Sequence, residues 1–238
     1  MNGLDKYKEF FTDEYLMGPN SMRLLDEMLK KYPLQAGSRV MDLGCGQGLT
    51  SIYLAKEAGV QVFATELWIP VTELAQRFEQ HAVSDSVIAI HADANALPYA
   101  EEYFDAVVSI DAYHYFAGEP GDFEKKVLPY IKRGGAAIIA IPGLREPLTK
   151  DAAEGLLEWC GGDKQAFDAF KTKDEWLRII GTGDGFEVLK SFEMDCRDEA
   201  WEDWFRSGHP YGVKDREWFE RGIGEYLGFV GLVIRRTE

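Results

Sequence analysis

The residues able to do chemistry open with Asp42-Leu43-Gly44-Cys45-Gly46-Gln47-Gly48, an acid followed by three glycines at alternate positions. Glycine permits positive φ and lets a ligand lie against bare backbone, and the amides of a helix that starts beyond Gly48 offer unsatisfied donors. A pyrophosphate-binding turn would need Gly44-x-Gly46-x-x-Gly, yet the sixth position is Leu49, and the Asp42 carboxylate would repel phosphate. A cationic nucleotide-like ligand, such as a sulfonium-bearing amino acid, suits the same residues better. A second acid, Glu66, stands 22 residues after Gly44, where doubly wound nucleotide-binding folds place a carboxylate on the two hydroxyls of a ribose. The four histidines, at 81, 91, 114 and 209, are scattered without metal-ligand spacing, so no metal is expected.

These runs need elements to hold them. Asn20 or Ser21 caps a helical stretch with Leu25, Met28, Leu29 and Tyr32 on one face, closed by Pro33 and Gly37. Ser38 onward reads as a short buried strand ending in the glycine turn, followed by an amphipathic helix over Leu49 to Ala58. The alternation continues with strands at Val60 to Thr65, Val87 to Ile90, Phe104 to Ile110 and Gly135 to Ile141, and helices at Val71 to His81 and Gly121 to Ile131. Such alternation predicts a parallel sheet covered on both faces, hence an α/β, doubly wound, mostly parallel fold. After Pro142 the rhythm breaks. Two long stretches, 143–185 and 195–227, flank a strand at Phe186 to Glu193 and precede a last one at Phe229 to Arg235.

With an acid and Gly-x-Gly-x-Gly set between a strand and a helix, the sequence resembles the class I S-adenosylmethionine-dependent methyltransferases over about Gly37 to Pro142. The resemblance implies a Rossmann-like, seven-stranded sheet whose last strand runs antiparallel. It also implies one domain over 1–238: an N-terminal helical cap (1–36), a cofactor-binding core (37–142), and helical insertions (143–185 and 195–227) forming a lid over the active site. Asp42, Gly44, Cys45, Gly46, Gly48, Glu66 and Leu67 would then hold S-adenosyl-L-methionine. In His91-Ala92-Asp93-Ala94, Asp93 would accept from the adenine amine and the Ala94 amide would meet a ring nitrogen. In Ser109-Ile110-Asp111-Ala112-Tyr113-His114, Asp111 would border the cofactor's amino-acid end and His114 is the candidate base. Tyr15, Tyr113, Trp201, His209 and Tyr211 are the substrate-side candidates, and the segment through Gly18-Pro19 is expected to close over the cofactor.

The expected reaction is methyl transfer to a small-molecule acceptor by in-line displacement, which positioning and desolvation can largely drive. Two alternatives stay open: a lipid-modifying enzyme resembling cyclopropane fatty-acid synthases, and an S-adenosylmethionine-binding protein without turnover. Composition narrows the partners. The chain's 238 residues are 46% hydrophobic, enough for a sizeable core, and 26 basic against 41 acidic residues give a net charge of −15, which repels nucleic acid and acidic membranes. Asp111-Ala112-Tyr113 also lacks the two prolines that follow the acid in enzymes methylating DNA bases. No apolar run is long enough for a bilayer, Met1 to Tyr15 is charged rather than signal-like, and three cysteines are an odd number, so a reducing cytoplasm is expected. A homodimer is compatible with the sequence.

Overall fold

The computed structural model describes residues 3–237. Seven principal strands form one sheet: β1 (Arg39–Leu43), β2 (Gln61–Glu66), β3 (Val87–His91), β4 (Phe104–Ile110), β5 (Ile131–Leu144), β6 (Phe186–Glu193) and β7 (Leu227–Arg236). Their order is β3-β2-β1-β4-β5-β7-β6, with a two-residue strand, Lys171–Thr172, added beside the end of β5. All neighbours pair parallel except β7, which runs antiparallel to both β5 and β6. Consecutive residues send side chains to opposite faces: Val40 joins the core on one side of the sheet and Met41 the core on the other, as do Val108 and Val107. The chain leaves β1 toward β2 on one side and meets β4 on the other, so a crevice opens at the carboxyl ends of these strands.

Helix α1 (Ser21–Lys31) starts where the Asn20 side chain accepts from the Met22 amide. α2 (Leu49–Tyr53) leaves the glycine turn directly and widens into a π turn over Leu54–Ala58, and α3 (Val71–Gln80) follows β2. The helix expected over Gly121 to Ile131 is a single turn, α4 (Asp122–Lys126). Pro129 fits the early stop: it lacks an amide hydrogen to continue the helix, and after Val127 the chain makes only a 3-10 turn over Leu128–Tyr130.

The two insertions supply α5 (Lys150–Trp159), α6 (Lys164–Asp168), α7 (Lys173–Ile180), α8 (Arg197–Arg206) and α9 (Pro210–Glu220). Apart from the exposed Tyr211, their aromatic residues pack inward. Trp176 on α7 is fully buried near Tyr113, while Trp201 on α8 packs with Trp159, Phe205 and Phe219. α8 also braces the N-terminal segment: Ala200 accepts from the Asn20 amide and Ser207 from the Asp13 amide, both at 3.0 Å. Asp203 receives the Asn20 side chain at 2.7 Å and pairs with Arg23. Among the described residues no helix is long and apolar enough to cross a membrane.

Candidate active site

A cavity of about 410 Å³ occupies the crevice at the carboxyl ends of β1, β2 and β4. Its floor is the glycine turn, where Gly44 and Gly46 take φ of +78° and +53°. Gly44 is required twice over. Its backbone is left-handed, and a Cβ there would stand 2.5 Å from the Cβ of Ala112, so the turn and the β4 loop can touch only through glycine.

Glu66, at the end of β2, ties this floor together. One carboxylate oxygen accepts from the Gly46 amide and the other from the Leu67 and Trp68 amides, each at 2.8 Å. A carboxylate so placed fixes the turn and still borders the cavity. Asp93 lies exposed at the far end, its carboxylate accepting from the amide and side-chain nitrogen of Asn95. The Asn95 backbone bond, and then its side chain, hold Asp93 below the usual carboxylate range.

Asp42 does not line the cavity. It is 1% exposed behind the turn, where one oxygen accepts from the hydroxyls of Thr50 at 2.7 Å and Ser51 at 2.6 Å. Burial pushes it up to about 6, against the opposing pull of the two hydroxyls. Its second oxygen, Oδ1, is buried without a partner among the described residues. Gly48 likewise sits behind the floor: its φ is +82° and a Cβ would reach 2.6 Å from Phe78, so its absent side chain admits α3 rather than a ligand.

Of the other residues expected here, Gly44, Cys45, Gly46, Leu67, Ala94, Asp111 and Tyr15 all line the cavity. Five do not. His114 does not line the cavity; its ring lies 4.1 Å from that of Tyr115, and Nδ1 is buried without a partner among the described residues. Burial, and then the nearby Lys171 charge, push its imidazole down to about 4, which makes it a poor base. Tyr113 is a core residue at 0% exposure, since the short turn after β4 alternates its side chains and sends Tyr113 under the sheet. Trp201 belongs to the aromatic cluster beneath α8. His209 caps α9, accepting from the Tyr211 amide and stacking on Trp204, and Tyr211 is 64% exposed.

The lid expectation is corrected with them: no residue of 143–185 or 195–227 borders the cavity, because the insertions bury their aromatic faces against the sheet and one another. The wall comes instead from Tyr15 through Pro19 of the N-terminal segment, held by a 2.7 Å hydrogen bond between the Tyr15 hydroxyl and His81 Nε2 and by the braces to α8. Met17, Gln47, Tyr115 and Phe116 also line the cavity. Tyr115 and Phe116 directly follow His114 in the loop after β4, whereas nothing in the sequence pattern marks Met17.

Asp111 occupies a strained backbone position, φ +56°, at the end of β4. Its amide donates to Ala140, but no described group donates to its carboxylate, and burial pushes it up to about 7. No Lys, Arg or His lines the cavity, whereas Glu66, Asp93 and Asp111 do. The electrostatics suit a cation and oppose a phosphate. Among the described residues there is no cluster that could hold a metal ion.

Residues 41–139 match the family model described as a methyltransferase domain. The 27-O-demethylrifamycin SV methyltransferase of Amycolatopsis mediterranei is 35% identical over 94 residues, covering 39% of this chain and 35% of the relative. Phosphoethanolamine N-methyltransferase 1 of Triticum aestivum is 29% identical over 140 residues, 58% of this chain and 27% of the relative. The chain thus spans between about a quarter and a third of the length of these relatives. In fold it is similar to a S-adenosylmethionine-dependent methyltransferase from Thiobacillus denitrificans, solved with S-adenosylhomocysteine, with a TM-score of 0.65 at 20% identity over 99% of this chain and 100% of that one. Residues 41–139, which hold the glycine turn on β1, thus match a methyltransferase domain, and the sheet as a whole has the fold of the solved methyltransferase.

Proposed function

We propose that this chain binds S-adenosyl-L-methionine in the β1-β2-β4 cavity and transfers its methyl group to a small-molecule acceptor. The observation that carries the reading is the lining itself: a glycine floor and three carboxylates with no cation among them. Such a lining fits a ligand that bears a sulfonium, an ammonium, a ribose diol and an exocyclic amine, and disfavours a dinucleotide. The bound sulfonium supplies an activated methyl and a good leaving group.

The chain's own residues do the rest. Glu66 would accept from the ribose hydroxyls, and Asp93 with the Ala94 amide would meet the adenine edge. The backbone of Gly44 to Gly46 gives the amino-acid end room to lie flat. Asp42 acts from behind, holding α2 against the turn through Thr50 and Ser51. The Tyr15 to Pro19 wall excludes water, which strengthens each of these contacts. Free Cys45, Cys160 and Cys196 support a reducing, cytoplasmic setting.

Calorimetric titration with S-adenosylmethionine and, separately, with NAD tests the cofactor. Micromolar binding of the first alone is expected, followed by methyl transfer to a member of a metabolite panel. Binding of NAD, or of neither, overturns the reading.

A further inference from the structure

The wall of the cavity is clasped at a ring that no step of the cofactor reading uses. His81 follows the last turn of α3 and lies outside the cavity lining. Its imidazole packs against two rings of the N-terminal segment, with centroids 4.6 Å from Phe10 and 5.7 Å from Tyr15. Nε2 shares the 2.7 Å hydrogen bond with the Tyr15 hydroxyl. Arg77, one helical turn earlier, lies over the Tyr15 ring at 4.5 Å, donates to the Glu14 carbonyl at 3.2 Å and pairs with the Glu14 carboxylate at 3.7 Å. Beyond Tyr15 the segment runs straight into the cavity: a Cβ on Gly46 would stand 3.1 Å from Met17 Sδ, and Gly18 covers Asp111. Two side chains at the end of α3 thus grip the segment, and one of them is of the type that titrates near neutral pH.

We propose that His81 is a proton-operated clasp: neutral, it holds Tyr15 to Pro19 against the cavity; protonated, it releases them, so that mild acid opens the wall and weakens cofactor binding. The last clause rests on the cofactor reading above; the rest does not. A neutral imidazole accepts from the Tyr15 hydroxyl through Nε2, whereas the protonated ring has donors at both nitrogens and that bond as it stands is lost. The cation is also badly placed. Phe10 and Tyr15 shield it from water, and Lys56, on the π turn beyond α2, and Arg77 carry the same sign, while Glu9 and Glu14 oppose them. Burial and then Lys56 outweigh the acids and hold the imidazole below its ordinary 6.5. Once the segment leaves, the ring regains water and its ordinary proton affinity, so release of the segment and uptake of a proton are linked. As pH falls through 6.5, opening therefore gains a proton; at pH 8 it gains none. At pH 5.5, one unit lower than that ordinary value, the linkage favours opening by at most about tenfold.

The test compares the full chain with His81→Gln, whose side-chain carbonyl can still accept from Tyr15 but takes up no proton. Thermolysin cleavage before Asn20 is timed on ligand-free protein at pH 8 and pH 5.5, and the parent's rate is divided by the variant's at each pH. Asp111 and Asp42, raised to about 7 and about 6, also titrate in this range but are common to both proteins. The ratio should rise by about threefold or more from pH 8 to pH 5.5. Tyr15→Phe, which keeps the ring and loses the hydroxyl, should lose that rise. A ratio that stays level overturns the proposal, whether the variant's segment is tight or loose. Calorimetry with S-adenosylhomocysteine at the same two pH values should show the parent losing affinity relative to His81→Gln by the same factor. A rising cleavage ratio beside a level affinity ratio overturns the control of cofactor binding. If the parent binds no S-adenosylhomocysteine at either pH, the cofactor reading itself fails, and the cleavage ratio alone decides the clasp.

Discussion

A Cβ placed on Gly18 would stand 3.3 Å from Oδ2 of Asp111, so the N-terminal segment crosses directly over the acid at the end of β4. Gly18 does not take a left-handed φ, and a side chain there would meet the cavity rather than strain the backbone. Gly18→Val is therefore expected to keep the melting temperature of the parent while lowering S-adenosylhomocysteine affinity at least tenfold. Thermal unfolding and calorimetry on one preparation check both halves.

Gly44→Ala should damage the fold. It forces a side chain onto a φ of +78° and drives its Cβ into Ala112. A loss of roughly 2–4 kcal/mol is expected, the sum of backbone strain and overpacking. Adding Ala112→Gly removes the collision but not the strain, so the double variant should recover about half of the loss in urea unfolding. Full recovery would mean that the left-handed backbone costs nothing.

Glu66 is expected to matter through both of its oxygens. Glu66→Ala leaves the Gly46, Leu67 and Trp68 amides without their acceptor, and at roughly 1.5–3 kcal/mol for a hydrogen bond to a charged group the affinity for S-adenosylhomocysteine should fall by about 10- to 100-fold. Glu66→Gln keeps one carbonyl oxygen for Leu67 and Trp68 but turns an amide toward the Gly46 amide, and its affinity should lie between the two.

Asp111 should also make stability depend on pH. Its acid dissociates near 3.8 when unfolded and about 7 when folded, so between these values the folded chain holds the extra proton. The stabilisation is complete below about pH 4 and is lost as pH rises through 7. Asp111→Asn removes that loss and should melt above the parent at pH 8, by roughly 2–4 °C for each kcal/mol recovered. At pH 4 the two should differ little. Asp42, raised to about 6, keeps part of the slope in both proteins.

The brace at Asp203 should reach the cavity without touching it. Asp203→Ala frees Asn20 and leaves the partly buried Arg23 unpaired, a loss of roughly 3 kcal/mol when such a pair is broken from one side. Limited proteolysis should then cut before Asn20 faster than in the parent, and S-adenosylhomocysteine should bind more weakly. Unchanged cleavage would detach α8 from the control of the wall.

Local pattern was enough for the half of the chain that alternates. The run from Ser38 to Ile141 announced its strands by short apolar stretches and its ligand edge by Asp42-Leu43-Gly44-Cys45-Gly46, because a buried parallel strand and a glycine turn are each specified within a few residues. Glu66 was legible from its distance to Gly44, whereas Asp93 and Asp111 were singled out by the family resemblance; the structure places all three at the cavity.

What the sequence could not determine is where side chains point once elements pack. Asp42 follows its strand into the interior and meets Thr50 and Ser51, while Glu66, an equally acidic strand end, emerges at the cavity. Tyr113 and His114 sit within four residues of Asp111, yet a single short turn sends them away and presents Tyr115 instead. The tryptophans of the insertions looked available for a pocket, but burying each against its neighbours removes more apolar surface from water than leaving them over an open crevice. Tyr15 through Pro19 lie in the segment expected to close over the cofactor, but what holds them at the cavity, contacts to α8 and to His81 between residues as distant as Asn20 and Asp203, could not be read from the sequence. Spacing along the chain fixes which residues share an edge; only the packing of distant elements decides which of them face the ligand.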